Sequence, residues 1–194
     1  MHLDQILFMA MIRVVKLLTE QLFFDTDCLS AFLWVDNQSL LAQLYPGKIV
    51  IPSHVYNELS CPNTPHLKAR IDSMIANKEV TVESFDVGSK MYELYLKMTL
   101  NPDVGHRVIG SGEAAGIVMA KEKDGILASN NLRDIKQYVD EFKLKHITTG
   151  DIIKEAYEKK LIFETQANQL WQDMLNKRRK LGYSSFSEFL KNNP

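Results

Sequence analysis

The chain has 194 residues, enough for one domain with a full core, and its 45% hydrophobic and 24% charged content is ordinary for a globular protein. A net charge of −1 excludes a global basic field, so any anionic partner needs a local basic patch or metal ions as intermediaries. The only cysteines, Cys28 and Cys61, lack ligand spacing and argue for free thiols in a reducing, cytoplasmic setting over a disulfide framework.

The first predicted element is an amphipathic helix over residues 1–21, because Leu3, Ile6, Leu7, Ala10, Val14 and Leu18 recur at helical spacing. Arg13 and Lys16 make it too charged for a membrane span, and Asp4 precedes the apolar run where a secretory signal wants a positive charge. Its expected role is docking, on the domain itself or on a second subunit. Short apolar runs then predict strands at 22–24, 49–51, 80–82, 126–129 and 147–148, with mostly apolar centres as in strands covered on both faces. Helical patterns fill the intervals, and Pro52 is placed for a first helical turn after the second strand. Alternating strand and helix predicts an α/β fold, a parallel sheet with helices on both faces. After Gly150 the chain reads as helices to the end. Thr148 with Asp151, and Ser185 with Glu188, have capping-box spacing, and Gly182 sits where a helix end wants a left-handed residue. The expected organisation is therefore an N-terminal helix (1–21), an α/β domain (22–150) and a helical C-terminal extension packed on it (151–194).

In an open parallel sheet, function gathers at the C-terminal edge of the strands. Asp25 ends the first strand at that edge, where it need not be buried. Asn130 and Asn131 end the fourth. Glu58 lies on the helix leaving the second strand, and Glu113 opens the helix that leads into the fourth. Asp134 is one turn past Asn131. All map to one edge, around a crevice at a topological switch point if the first and fourth strands are neighbours. Clustered carboxylates repel one another, and a divalent cation relieves that repulsion. Hard oxygen donors suit Mg²⁺ or Mn²⁺. Taken singly, each acid has a plainer role: Asp25 as a helix cap, Glu113 as a first-turn charge, Glu58 as a solvated residue, Asp134 as a partner of Arg133 or Lys136. Together those roles explain five polar groups at one edge poorly.

Four segments, "FFDTDCLSAFL", "IVIPSHVYNEL", "GSGEAAGIVMA" and "ILASNNLRDI", occur in the order and spacing of a known family. Over about residues 22–150 the chain resembles a PIN domain (PilT N-terminus), the ribonuclease fold of many prokaryotic toxins. The resemblance implies a three-layer α/β/α fold with about five strands in the order 3-2-1-4-5. It implies Mg²⁺- or Mn²⁺-dependent hydrolysis of RNA, and the toxin role implies an antitoxin partner. Carried over, the catalytic set is Asp25, Glu58, Glu113, Asn131 and Asp134, with Asp25, Glu113 and Asp134 as metal ligands. Asp27 and Asn130 are secondary candidates. The chain departs from many members in having no acid at Asn130 or Asn131, in its N-terminal segment and in its helical tail. A homodimer is the other expected partnership, and no membrane is.

Two other features bear on RNA. "NKRRK" is the densest basic run, and its Arg178 and Arg179, like Arg107 in the loop before "GSGEAA", are candidate phosphate contacts; cations at a helix C-terminus and a solvated loop are the plainer readings. "GSG" lacks the lysine and length of a phosphate loop. The competing function is a PIN-like module without catalysis that binds RNA or protein, suggested by the Asn130–Asn131 pair. A nucleotide-binding regulator is disfavoured, since an acidic crevice repels phosphate unless metal is present.

Overall fold

The computed structural model describes residues 20–193. The helix expected over 1–21 lies outside these, save Glu20 and Gln21, which are not helical. Five parallel strands form one sheet in the order β3-β2-β1-β4-β5. They are β1 (Leu22–Phe24), β2 (Ile49–Pro52), β3 (Val80–Glu83), β4 (Ile126–Ala128) and β5 (Lys145–Ile147). The period of two in the central strands builds a core on each face. Leu22, Phe24, Ile49, Ile51 and Ala128 point into one core, while Phe23, Val50 and Leu127 point into the other. This is the three-layer α/β arrangement expected.

On the first face lie α1 (Thr26–Trp34), α2 (Ser39–Leu44), α3 (Ser53–Leu59) and α4 (Pro65–Ala76). The second face carries α5 (Lys90–Thr99), α6 (Ser111–Glu122) and α7 (Leu132–Phe142). Helix α6 is the most deeply set, buried at Gly112 and continuously from Ala114 to Ala120. Its small residues allow this approach: a Cβ on Gly116 would stand 3.1 Å from Leu127 Cδ1. The last helices, α8 (Thr149–Glu158), α9 (Glu164–Asn176) and α10 (Phe186–Asn192), send Ile152, Ile153, Trp171, Met174, Phe186 and Phe189 into the same core as β1 and α1. No helix among the described residues is long and apolar enough to cross a membrane.

Several local expectations shift. The fifth strand is Lys145–Ile147, not 147–148. It is an edge strand with an exposed Lys145, so no apolar run marks its start. Thr148 is already the N-cap of α8, in the expected capping box: its hydroxyl accepts the Asp151 N–H, and Asp151 accepts the Thr148 N–H. The Ser185–Glu188 box is half made. Ser185 caps α10, but the Glu188 carboxylate turns to the N–H and hydroxyl of Ser184. Pro52 ends β2, opposite Glu83, and α3 begins one residue later. Ser129 lies just past β4, although its N–H still reaches Ile147 O. Gly182 has a left-handed φ of 79° but belongs to a loop. Arg178, at φ 60°, closes α9 instead, with Arg178 N–H to Leu175 O at 2.8 Å and Arg179 N–H to Met174 O at 3.0 Å.

Candidate functional site

Strand β1 pairs with β2 on one side and β4 on the other, so the condition for a switch point, that the first and fourth strands be neighbours, is met. Asp25 follows Phe24 directly, and its N–H extends the ladder to Ala128 O at 2.9 Å. Its carboxylate turns back over α1, where Oδ1 accepts the Cys28 N–H at 2.7 Å and caps the helix. The expectation that Asp25 escapes burial at the sheet edge is wrong: it is 0% exposed, because α1 starts at once and folds over it. Its Oδ2 is buried without a hydrogen-bond partner. Burial pushes the Asp25 carboxyl up to about 7, the Ser129 hydroxyl and the Cys28 N–H hold it down, and the charges of Asp27 and Glu113 add to the rise.

Glu58 reaches from α3 to the start of α6. Its Oε1 accepts the Gly112 N–H at 2.9 Å, and its Oε2 accepts a short hydrogen bond from the Thr26 hydroxyl. A free N–H in the first turn of a helix favours such an anion. Gly112 is small for this contact, since a Cβ there would stand 2.6 Å from Thr26 Oγ1 and 2.8 Å from Glu58 Oε2. Thr26, Asp27, Glu58, Gly110, Gly112 and Glu113 line a pocket of about 260 Å³.

Glu113 sits at N3 of α6, and its Oε2 accepts the Gly110 N–H at 3.0 Å. Its Oε1 accepts from Asn131 Nδ2 at 2.5 Å. The same nitrogen donates to Asp134 Oδ2 at 2.8 Å, so one neutral amide bridges two carboxylates. Asp134 stands in the first turn of α7, and Arg107 Nη1 lies 3.7 Å from its Oδ1. The plainer partners for Asp134 do not serve it: Lys136 pairs with Asp140.

The five principal candidates thus lie at one edge: Asn131 bonds Glu113 and Asp134, Glu58 reaches α6 at the Gly112 N–H, and Asp25 senses Glu113 through its charge. The two secondary candidates separate. Asp27 lines the acidic pocket. Asn130 faces away, its Oδ1 accepting the Thr149 N–H at 2.8 Å and its Nδ2 donating to Thr149 Oγ1 at 2.9 Å, which fastens α8 to the end of β4. Arg178 and Arg179 line a neighbouring cleft. Thr26, Ser129 and Gly112 belong to the site although none carries a charge. Only their adjacency to Asp25, Asn130 and Glu113 in the sequence hints at them.

No three His, Cys, Asp or Glu side chains among the described residues stand close enough together to hold a metal ion as placed. The donor chemistry fits one nonetheless. Asp25 Oδ2 is an orphaned buried oxygen, and every acid around it offers hard oxygen, the ligand type of Mg²⁺ and Mn²⁺.

A family model described as PIN domain (DUF3368) matches residues 21–193. The chain belongs to the PIN-domain family. The match runs through α8, α9 and α10, so the helical tail of this PIN domain lies inside the matched region. Two solved structures are similar in fold. One is a PilT N-terminus domain protein from the hyperthermophilic archaeon Sulfolobus solfataricus P2, 16% identical, covering 71% of this chain and 93% of that one, with a TM-score of 0.46. The other is VapBC2 from Rickettsia felis bound to a DNA fragment from its promoter, 17% identical, covering 66% and 97%, with a TM-score of 0.47. No curated protein matches the sequence significantly.

Proposed function

We propose that this PIN domain is a metal-dependent endoribonuclease, hydrolysing RNA phosphodiester bonds at the pocket beside Asp25, and that it acts as the toxin of a toxin–antitoxin pair. The buried Asp25 carboxylate carries this reading. A helix cap needs one oxygen, and Asp25 keeps a second one buried with no close hydrogen-bond donor, within the electrostatic reach of Glu113. An unpaired buried acid is destabilising, so its presence favours a site over a scaffold. Asp25, Glu113 and Asp134 would hold a Mg²⁺ or Mn²⁺ ion. When bound, the ion supplies Lewis-acid activation and charge neutralisation for phosphodiester hydrolysis. Glu58, held by Gly112 and Thr26, lines the same pocket as Glu113. The antitoxin partner and the cytoplasmic setting follow from the toxin reading, and the division into an N-terminal helix, a nuclease domain and a C-terminal extension is part of the same proposal.

The test is cleavage of labelled single-stranded RNA with Mn²⁺ by wild type and Asp25→Asn. Removing a ligand carboxylate is expected to lower the rate by about 10²-fold or more, equivalent to roughly 3 kcal/mol. Equal, negligible cleavage by both proteins sinks the enzyme reading. A second reading has one observation in its favour. Asn131 already satisfies Glu113 and Asp134 with a neutral amide, and Arg107 adds a cation beside Asp134. An inactive PIN-like RNA- or protein-binding module would keep that arrangement. Calorimetric titration separates the two, since the module shows no Mn²⁺ binding at millimolar concentration.

A further inference from the structure

Beside the acidic pocket, on the other side of Asp27, lies a second cleft of about 170 Å³ lined by Asp27, Asn130, Arg178, Arg179 and Lys180. Three cations face one carboxylate there. We propose that this cleft grips phosphates of the RNA strand whose scissile bond lies in the acidic pocket, with Arg178, Arg179 and Lys180 as substrate-positioning residues. The assignment rests on the ribonuclease reading of that pocket. The charge pattern favours it: a carboxylate pocket repels a polyanion, and a basic cleft sharing its wall offsets that repulsion where the strand continues. RNA is favoured over an acidic peptide because the adjoining pocket is read as a site of phosphodiester cleavage, and a strand bound there continues as phosphates into this cleft.

The cations are arranged in two ways. Arg179 is fixed in place. Its Nη1 lies 3.9 Å from Asp27 Oδ1 and 3.4 Å from Ser30 Oγ, its Nε donates to Lys177 O at 3.1 Å, and its guanidinium lies over Trp34, 5.8 Å from the ring centroid. Arg178 and Lys180 are exposed and have no ion-pair partner among the described residues, so their charge is free for a ligand. The left-handed turn at Arg178 is not by itself a signal. Lys78, Lys143 and Lys160 follow their helices in the same conformation, and none of them lines this cleft. At Arg178 that turn closes α9 and places consecutive cations beside Asp27. The charge arrives from the C-terminal helices, a part of the chain that supplies none of the acids.

The deciding measurement is fluorescence anisotropy of a labelled single-stranded oligoribonucleotide in EDTA, which keeps the RNA intact. The R178A/K180A double variant is expected to bind about tenfold more weakly than wild type, with a log Kd against log salt slope shallower by about 1.4, two contacts at about 0.7 each. R178G is expected to melt at or above the wild-type temperature, because glycine relieves the left-handed turn, while losing affinity as R178A does. Three results overturn the proposal: no RNA binding by wild type, a double variant within twofold of wild type at unchanged slope, or tighter binding of a polyglutamate peptide than of RNA, lost in the same variant. RNA binding with this pattern but no Mn²⁺-dependent cleavage defeats the ribonuclease reading alone. Cleavage by wild type with an unaltered Kd in the variant defeats the cleft alone.

Discussion

At Asp25 burial and charge act against each other. Its ordinary carboxyl value is 3.8 and its folded value is about 7, so between those values the folded protein keeps a proton that the unfolded chain releases. Stability must therefore fall as pH rises from about 4 to about 7 and level off above, with a total loss on the order of 4 kcal/mol from this residue. Asp25→Asn retains an oxygen for the Cys28 N–H and has no proton to lose, so its stability in EDTA should change less between pH 5 and pH 8 than that of wild type. Urea denaturation at both pH values measures this, and identical losses in the two proteins would contradict the assignment. Asn131 is the complementary position. Asn131→Asp replaces the amide that bridges Glu113 and Asp134 with a third carboxylate. In EDTA the variant should lose about 1–3 kcal/mol, and Mn²⁺ should raise its melting temperature more than it raises that of wild type. Thermal shift with and without Mn²⁺ decides it; an Mn²⁺ response no larger than wild type argues against a shared metal site.

The elements matter through their ends. Helix α6 brings Glu113 to Asn131 and, one residue earlier, brings the Gly112 N–H to Glu58. The first contact joins α6 to the start of α7; the second requires α6 to come close to α1 and α3, and Gly112 is where it does so. Gly112→Ala places a Cβ against Thr26 Oγ1 and Glu58 Oε2, two atoms already hydrogen-bonded to each other and unable to part without breaking that bond. The expected loss is about 1–3 kcal/mol, with Mn²⁺-dependent RNA cleavage falling further than stability explains. Denaturation and cleavage rates on the same preparation test this, and full cleavage with normal stability would show that the Glu58 wall has no role. The start of α8 behaves differently. Its Thr148–Asp151 box and the Asn130 clamp on Thr149 hold the fold and leave the pocket untouched.

Over the whole molecule the C-terminal helices belong to the main core. Trp171 is fully buried, packs against Phe186 and Phe189, and donates its indole N–H to Tyr183 O at 3.0 Å. Trp171→Ala should cost about 3–5 kcal/mol, a large share of the roughly 5–15 kcal/mol that stabilises a domain. A variant melting within a degree or two of wild type would show the extension to be a detachable layer. The extension also places Arg178, Arg179 and Lys180 beside Asp27, at the cleft proposed to hold RNA phosphates.

The edge that Asp25, Glu58, Glu113, Asn131 and Asp134 share was legible in the sequence, because a parallel sheet with alternating helices sends every strand end to one side, and the strand order came with the family resemblance. The register of β5 was not, since the polar Lys145 and His146 of an edge strand carry no apolar signal. Burial at Asp25 was not legible either: a carboxylate after a strand reads as a surface cap until α1 and Ser129 are seen to enclose it. The split between Asn130 and Asn131, adjacent and chemically identical, was decided by the backbone, which turns one amide to Thr149 and the other to Glu113 and Asp134. The sequence by itself determined the family resemblance, which carried the strand order with it, and the alternation of strand and helix that sends the acids to one edge, since these rest on residue type and local periodicity. Tertiary structure alone decided which acid is buried, which amide bridges Glu113 and Asp134 and which cations stand beside Asp27, since those depend on distances between segments far apart in the chain.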